Sequence, residues 1–243
     1  MEYDLIFYLL IFIIAALYSS VGHGGASGYL AIMAIFAVSP ENMRASALIL
    51  NLFVSAISFF SFYRGGFFRF RILWPFVLLS IPMSFLGARL EMDPSVYRII
   101  LGVFLLLAVF RMLLAAKGSS VLRPLNIPLA LLLGALLGFF SGLIGIGGGI
   151  ILSPVLLLLR YATIRETAAV SAIFILLNSA AGVAGLITTG GLNPVGGIYL
   201  MVVSGIAGSF AGAWAGSMKI SPVKLTYLLA GVLIFASFKL FYL

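Results

Sequence analysis

Long apolar runs separated by short polar connections form the main pattern along this chain. The run at 129–137 is apolar on every face of a helix, whereas the strands of a membrane barrel alternate apolar and polar residues. A membrane-spanning helix needs about 20 apolar residues, so the chain has room for about eight such units. The pattern therefore predicts an all-α, polytopic integral membrane protein.

The chain also repeats itself. Gly22-His23-Gly24-Gly25 matches Gly145-Ile146-Gly147-Gly148, and Ser84–Ala88 matches Ser209–Ala213. The double glycine at 65–66 and the Leu-Gly-Val triplet at 101–103 have counterparts in the same order. We therefore predict one integral membrane domain with two repeats, 1–118 and 124–243, joined by the polar linker 117–124.

Each repeat is predicted to contain a glycine-broken helical hairpin followed by three transmembrane helices. In the first repeat the apolar segments are 5–20 and 27–38 around the break, then 43–63, 72–90 and 96–116. In the second they are 128–143 and 150–160 around the break, then 165–187, 195–217 and 222–242.

The basic residues favour an inverted arrangement of the two repeats. If the broken segments fold back as hairpins, ten of the 14 Lys and Arg lie on one side, leaving Arg44, Arg89, Arg98 and Lys239 opposite. If the broken segments cross the membrane once, the 14 divide evenly. Because basic residues accumulate in cytoplasmic loops, we predict two inverted-topology repeats, with both termini outside the cytoplasm.

Composition agrees with this picture and removes several function classes. The chain is 63% hydrophobic and 8% charged, against about 45–50% and about 25% in soluble domains. The net charge of +8 comes from scattered residues rather than a basic arm, so we expect no nucleic-acid partner. The chain has no Cys and one His, and we predict neither a metal site nor a cofactor.

Two stripes of small residues are best explained by helix packing. Small residues spaced four apart lie on one face of a helix and let neighbouring helices approach closely. The stripes consist of Gly134, Gly138 and Gly142, and of Ser204, Gly208, Gly212 and Gly216.

The glycine clusters at 22–25 and 145–149 are different, because so many glycines cannot sustain a helix. Non-helical backbone at membrane depth survives only when it is buried in protein or lines a cavity. Paired breaks in two inverted halves indicate a transporter's midplane binding site. The helix that starts after each break presents free N–H groups that favour an anion. The alternative is that these glycines only form tight hairpins.

The predicted substrate-binding residues surround the two breaks. Ser20, Ser27 and Ser141 would add hydroxyl donors, and Asn51 and Asn178 would add amides, although each amide could instead join two helices. His23 is also a candidate for proton coupling, because imidazole titrates near neutral pH; the alternative is a neutral ring bound to backbone. The glycines of the predicted site are Gly22, Gly24, Gly25, Gly145, Gly147, Gly148 and Gly149.

The acidic residues argue against a cation carrier. Such carriers usually place a carboxylate inside the membrane. Here all six carboxylates fall at predicted segment ends or in loops: Glu2, Asp4, Glu41, Glu91, Asp93 and Glu166.

One motif resembles a protease sequence. Gly25-Ala26-Ser27-Gly28 has the G-x-S-G pattern of rhomboid intramembrane proteases, whose serine needs a base within hydrogen-bond reach. The single histidine, His23, lies only four residues earlier, across the glycine turn. We therefore do not predict an enzyme.

The run Ser20–Gly28, its partner Gly142–Gly149 and the two-fold repeat resemble the sulfite exporter TauE/SafE family over essentially the whole chain. The resemblance implies a multi-pass carrier of the bacterial or archaeal inner membrane for sulfite, sulfonates or other small organic anions. His23 departs from the apolar residue usual inside such a glycine run. The prediction is a secondary transporter that works by alternating access, with a small anion, the lipid bilayer and protons as its partners. A passive anion channel is the alternative.

Overall fold

The structure is a computed structural model that describes residues 4–20, 24–113, 122–215, 233–235 and 237–241. Within these ranges the regular elements are all helices and no strand occurs. This confirms the predicted all-α membrane class. Residues 233–235 and 237–241 are helical, and before them the structure defines these helices: α1 Leu5–Ser20, α2 Ala26–Ile35, α3 Pro40–Arg64, α4 Phe70–Arg89, α5 Pro94–Leu113, α6 Ile127–Ile144, α7 Gly149–Leu158, α8 Ile164–Thr188 and α9 Ile198–Ala215. Each of these begins within three residues of its predicted start.

Short polar signals set the starts of the longer helices. Helix α8 begins with a capping box, in which the Thr163 Oγ1 accepts from the Glu166 N–H and the Glu166 carboxylate accepts from the Thr163 N–H. Helix α6 is capped by Asn126, whose side chain accepts from the N–H of Leu129 at 3.0 Å. These caps satisfy N–H groups that a helix end leaves free.

Helices α1 and α2 form an antiparallel hairpin. The Phe7 ring near the start of α1 lies edge-on to the Phe36 ring just after α2, with centroids 5.1 Å apart. Closer to the break, the Tyr18 hydroxyl is 2.7 Å from the Ser27 hydroxyl. The chain therefore returns to the end from which it started.

Helices α6 and α7 form a second hairpin of the same kind. The Arg123 N–H, before α6, donates to the Arg160 carbonyl after α7 at 2.8 Å. The Asn126 N–H donates to the Tyr161 hydroxyl at 3.3 Å. Both hairpins end alike, because Ala37 and Arg160 have φ of 55° and 58°, in a turn where the next N–H reaches five residues back.

Contacts between loops define two ends of the helix bundle. At one end, which we call the Arg69 end, Arg69 and Glu166 form an ion pair of 2.8 Å, and the Arg165 guanidinium lies 5.0 Å from the Phe67 ring centroid. At the other, the Arg44 end, the Val195 N–H donates to the Ser46 hydroxyl at 2.8 Å.

Glycine stripes bring two helix pairs into backbone contact, as predicted. On α6, Gly134, Gly138 and Gly142 lie against the backbone of α4, where a Cβ would overlap the carbonyl oxygens of Phe76, Ser80 and Ser84. On α9, Gly208 and Gly212 lie in the same way against α1; Gly216 lies outside the described residues. The two pairs are equivalent when the repeats are exchanged, since α6 corresponds to α1 and α4 to α9. Whether the halves are inverted in the membrane stays a prediction.

Candidate functional site

Helices α2 and α7 each extend over half the depth of a membrane. Each has ten residues, which at 1.5 Å per residue gives about 15 Å, against a hydrocarbon core of about 30 Å. Their partners α1 and α6 have 16 and 18 residues and reach further. The hairpins therefore place the first turns of α2 and α7 in the interior of the bundle. From there α2 runs to the Arg44 end and α7 runs to the Arg69 end.

Positive backbone angles at the glycine breaks explain why glycine is needed there. Gly25 and Gly148, which precede α2 and α7, have φ of 82° and 74°. Gly145 and Gly147 have φ of 88° and 75°. Residues with a Cβ are strained in this region, so the second break uses three glycines to reverse the chain.

The two breaks meet at the middle of the α3–α8 pair. These helices have 25 residues each, and Asn51 and Ile175 both lie eleven residues after the first residue of their helix (51 − 40 and 175 − 164). A Cβ at Gly24 would lie 3.1 Å from Asn51 Oδ1 and 2.9 Å from Ile175 Cγ2. A Cβ at Gly147 would lie 2.8 Å from Asn51 Nδ2 and 2.8 Å from Ile175 Cγ2. Asn51 and Ile175 thus contact both breaks.

Several polar atoms around this point are buried without a hydrogen-bond partner among the described residues. Both amide atoms of Asn51 and the hydroxyl of Ser179 are in this class, and both side chains are 0% exposed. Ser179 Oγ would lie 3.2 Å from a Cβ at Gly147. A buried polar group without a partner costs about 1–3 kcal/mol, so such a cluster requires an explanation, such as a bound ligand or an ordered water.

Ser141 belongs to the edge of the same cluster. Its hydroxyl is buried without a partner among the described residues, and its Cβ would lie 3.4 Å from a Cβ at Gly148. Gly149, the first residue of α7, lies against the Ile175 side chain. The structure therefore brings Gly147, Gly148, Gly149 and Ser141 of the second hairpin close to this cluster.

Three other predicted residues have partners elsewhere. Ser20 Oγ donates to the Leu17 carbonyl at 2.7 Å, and Ser27 Oγ pairs with Tyr18. Asn178 Nδ2 donates to Ser80 Oγ on α4 at 3.0 Å and to the Phe174 carbonyl at 2.8 Å. Asn178 Nδ2 therefore joins two helices, which was the alternative interpretation, while Asn178 Oδ1 is buried without a partner among the described residues. Gly22 and His23 lie outside the described residues.

The helix bounds also change which residues correspond between the halves. Asn51 is equivalent to Ile175, not to Asn178, which lies fourteen residues after the start of α8 (178 − 164). The site is therefore asymmetric, with an amide on α3 where α8 has an aliphatic side chain. Ser179 was not predicted, because one serine in an apolar helix gives no signal in the sequence.

Arg44, which the charge count treats as a residue at one side of the membrane, is buried in the bundle. Its side chain is 8% exposed, and its Nε donates to the Gly142 carbonyl of α6 at 3.1 Å. Its Nη atoms donate to the carbonyls of Gly87, Ala88 and Leu90 at the end of α4. The guanidinium thus satisfies helix carbonyls that would otherwise be buried unpaired.

The second break starts beside this guanidinium. Gly145 lies against Arg44, since a Cβ there would be 3.1 Å from Arg44 Cα. The Tyr97 hydroxyl donates to the Ile144 carbonyl at 2.9 Å. Arg44 and Tyr97 therefore fix the end of α6 and the point at which the chain turns back towards Asn51. Both residues position the break rather than contact the unpartnered cluster.

The described carboxylates lie at helix ends, as predicted. Glu166 is in the first turn of α8 and Glu41 in the first turn of α3. Asp4 precedes α1, and Glu91 and Asp93 lie between α4 and α5. Among the described residues, no group of acidic or histidine side chains is arranged to hold a metal ion.

Comparisons with known proteins agree with this architecture. The family model described as Sulfite exporter TauE/SafE matches residues 7–240. A Sinorhizobium fredii protein named "Probable membrane transporter protein y4hK" is 37% identical over 234 residues, which cover 94% of each chain. No solved structure matches. The chain therefore belongs to the sulfite exporter TauE/SafE family of membrane transporters.

Proposed function

We propose that this protein is a secondary transporter that moves a small anion, such as sulfite, a sulfonate or a related organic anion, by alternating access. The substrate binds where the first turns of α2 and α7 meet beside Asn51. One observation carries the proposal: two half-helices begin at the same buried point, next to an amide whose atoms have no partner among the described residues.

The physical reason is that a helix start attracts negative charge. The first N–H groups of a helix have no partner within it, and the helix dipole adds positive potential there. Asn51 and Ser179 add side-chain donors at the same place. An anion bound there exchanges water for fixed donors at the membrane midplane, as in transporters with broken helices.

Contacts between loops support the inverted arrangement of the two repeats. Arg165 and Glu166 of the second half contact Phe67 and Arg69 of the first. If each broken segment crossed the membrane once, these pairs would lie on opposite sides. Lys239 donates to the Ile35 carbonyl at 2.6 Å, which joins the Arg44 end to the last described helix. We propose that the Arg69 end is cytoplasmic in a bacterial or archaeal inner membrane, with both termini outside.

Flux into proteoliposomes tests this function. The full-length protein should transport labelled sulfite or methanesulfonate with a rate that saturates with concentration. Asn51→Leu, which keeps the volume and removes the amide, should lower uptake at least tenfold. Ser209→Ala is the control, because its hydroxyl donates only to the Gly205 carbonyl within α9. Flux that rises linearly without saturation would indicate a channel, and flux no faster than in empty vesicles would reject transport of these anions.

We also propose that His23 couples transport to protons. No carboxylate lies between residues 5 and 40 of the sequence, so a bound anion would be the group that favours the protonated form of the His23 imidazole. Anion and proton would then bind together. His23→Gln keeps a hydrogen-bonding group and removes the titration, so it should bind anion but lose acceleration by a pH gradient. An unchanged pH response in this variant would assign His23 a structural role.

A further inference from the structure

The atoms closest to the two breaks carry no charge. Asn51, Ile175 and Ser179 supply the side chains nearest to Gly24 and Gly147. The nearest described cation is Arg44 of α3, which lies beside the second break and donates to carbonyls at the ends of α4 and α6. The described side chains that touch both breaks are therefore uncharged. The positive potential at Asn51 comes from the two helix starts and, from about 10 Å away along α3, from Arg44.

Each helix start is equivalent to about half a positive charge. Helices α2 and α7 together thus supply about one positive charge. While His23 is neutral, a monoanion would be neutralised by this field, whereas a dianion would retain about one uncompensated negative charge in a buried site. Burial of an uncompensated charge is strongly unfavourable.

We infer that, while His23 is neutral, the site selects monoanions over dianions, with Asn51 and Ser179 as neutral specificity residues. This inference rests on the proposed binding site at the two breaks, and it specifies the charge of the ligand. Asn51 and Ser179 contribute hydrogen bonds without charge, so they favour an oxyanion and leave the charge balance to the helices. An aliphatic side chain at Ile175 keeps the opposite wall apolar.

Three tetrahedral sulfur compounds of similar size provide the test. Dimethyl sulfone is neutral, methanesulfonate is a monoanion and sulfate is a dianion. Binding to the detergent-purified full-length protein is measured at pH 8.5, where an ordinary histidine is neutral, from the ligand-dependent rise in unfolding temperature. Sodium chloride brings every sample to the same ionic strength. We expect methanesulfonate to bind at least tenfold more tightly than sulfate or dimethyl sulfone.

Each outcome of this experiment has a defined meaning. Equal or tighter binding of sulfate overturns the inference on charge, while the proposed anion site stands. Equal binding of dimethyl sulfone shows that charge is not selected and also overturns it. If none of the three binds, both the inference and the proposed site are rejected for sulfur oxyanions.

Two substitutions separate charge from hydrogen bonding. Asn51→Asp changes the charge with almost no change in shape, and it should abolish methanesulfonate binding. Ile175→Lys adds a positive charge beside both breaks and should shift the preference towards sulfate by at least tenfold. Ile175→Met is the control, because methionine is also a long unbranched side chain but carries no charge. If Ile175→Lys folds, as judged by gel filtration, and leaves the ratio of the two affinities unchanged, the charge balance described here is wrong.

Discussion

At the scale of single residues, Asn51 combines the properties that a buried anion site needs. Its amide carries both donor and acceptor without a charge, and it contacts Gly24 and Gly147 from two different hairpins. A lysine or arginine in its place would hold an anion more firmly. A carrier must also release its substrate, and a neutral amide allows this.

Two glycines with left-handed backbone, Gly148 and Gly66, allow a role in the site to be distinguished from backbone strain. Gly148 and Gly66 have almost the same φ, 74° and 76°, so alanine at either position is strained by about 1–2 kcal/mol. A Cβ at Gly148 would lie 2.8 Å from the Phe174 ring, whereas at Gly66 nothing lies within 4 Å. Gly148→Ala should reduce uptake at least tenfold, and Gly66→Ala should leave the uptake rate per folded molecule unchanged.

Equal uptake by these two variants in the proteoliposome assay would mean that only backbone strain matters. The amount of folded protein is measured in parallel by gel filtration, so that reduced expression is not mistaken for reduced transport.

The sequence predicted some site residues and missed others for identifiable reasons. Clustered glycines cannot be helical, so Gly24, Gly147 and Gly148 were recognisable. Arg44 was interpreted as a loop residue, although it lies inside the apolar segment 43–63. Its partner Gly142 is 98 residues away, and a contact of that kind cannot be obtained from local pattern.

At the scale of helices, α6 shows how glycine spacing controls separation. Gly134, Gly138 and Gly142 place the α6 backbone directly against that of α4. Close approach of this kind maximises van der Waals contact, which replaces the hydrophobic effect inside a membrane. The predicted stripes were reliable because one residue type at one spacing encodes the contact.

Gly138→Ala should therefore destabilise the protein. Its Cβ would overlap the Ser80 carbonyl and force α4 and α6 apart, which costs about 1–3 kcal/mol in a well-packed interior. Gly205→Ala on α9 is the control, since its Cβ would meet Val54 at an ordinary 3.4 Å. Thermal unfolding in detergent should show a lower midpoint for Gly138→Ala alone; equal midpoints would contradict the role of the stripe.

Removal of the Arg44 guanidinium should loosen the ends of α4 and α6. Arg44→Met keeps the apolar stem and leaves helix carbonyls unpaired, at a cost of about 1–3 kcal/mol. Arg44→Lys should restore only part of this, because an ammonium cannot reach the same spread of acceptors. The exposed Arg71 provides the control, and the unfolding midpoint of Arg71→Met should match the wild type. A wild-type midpoint in Arg44→Met would show that water replaces the guanidinium.

At the scale of the whole molecule, the two halves use equivalent helices in equivalent contacts. Gly87 lies against the Phe139 carbonyl and Gly212 against the Ala16 carbonyl, so each half packs its fourth helix on the first helix of the other half. The repeat in the sequence was visible because these glycines recur. Which positions correspond became clear only from the helix bounds, because Asn51 and Ile175 share no chemistry.

Paired cysteines test the orientation of the halves. Gly66 and Gly190 occupy equivalent turns, after α3 and α8, and both are exposed with no atom within 4 Å of a Cβ. In this chain without native cysteine, Gly66→Cys should react with an impermeant maleimide only after permeabilisation. Gly190→Cys should react in intact cells. Labelling of both from the same side would require parallel halves.

The convergence of two half-helix starts also predicts which ions the protein should keep out. The field that would bind an anion at the proposed site should raise an electrostatic barrier against hydronium and sodium, as the paired half-helices of some selective pores do. A cell membrane must hold its electrochemical gradient while such carriers work. Asn51 is uncharged and no described carboxylate lies inside the bundle. An empty carrier therefore has no described acidic group that would bind a cation on its way across, and its cation leak should be negligible. A proton would then cross only when an anion is bound. Coupling between proton and anion transport would follow from the fold without a separate gate.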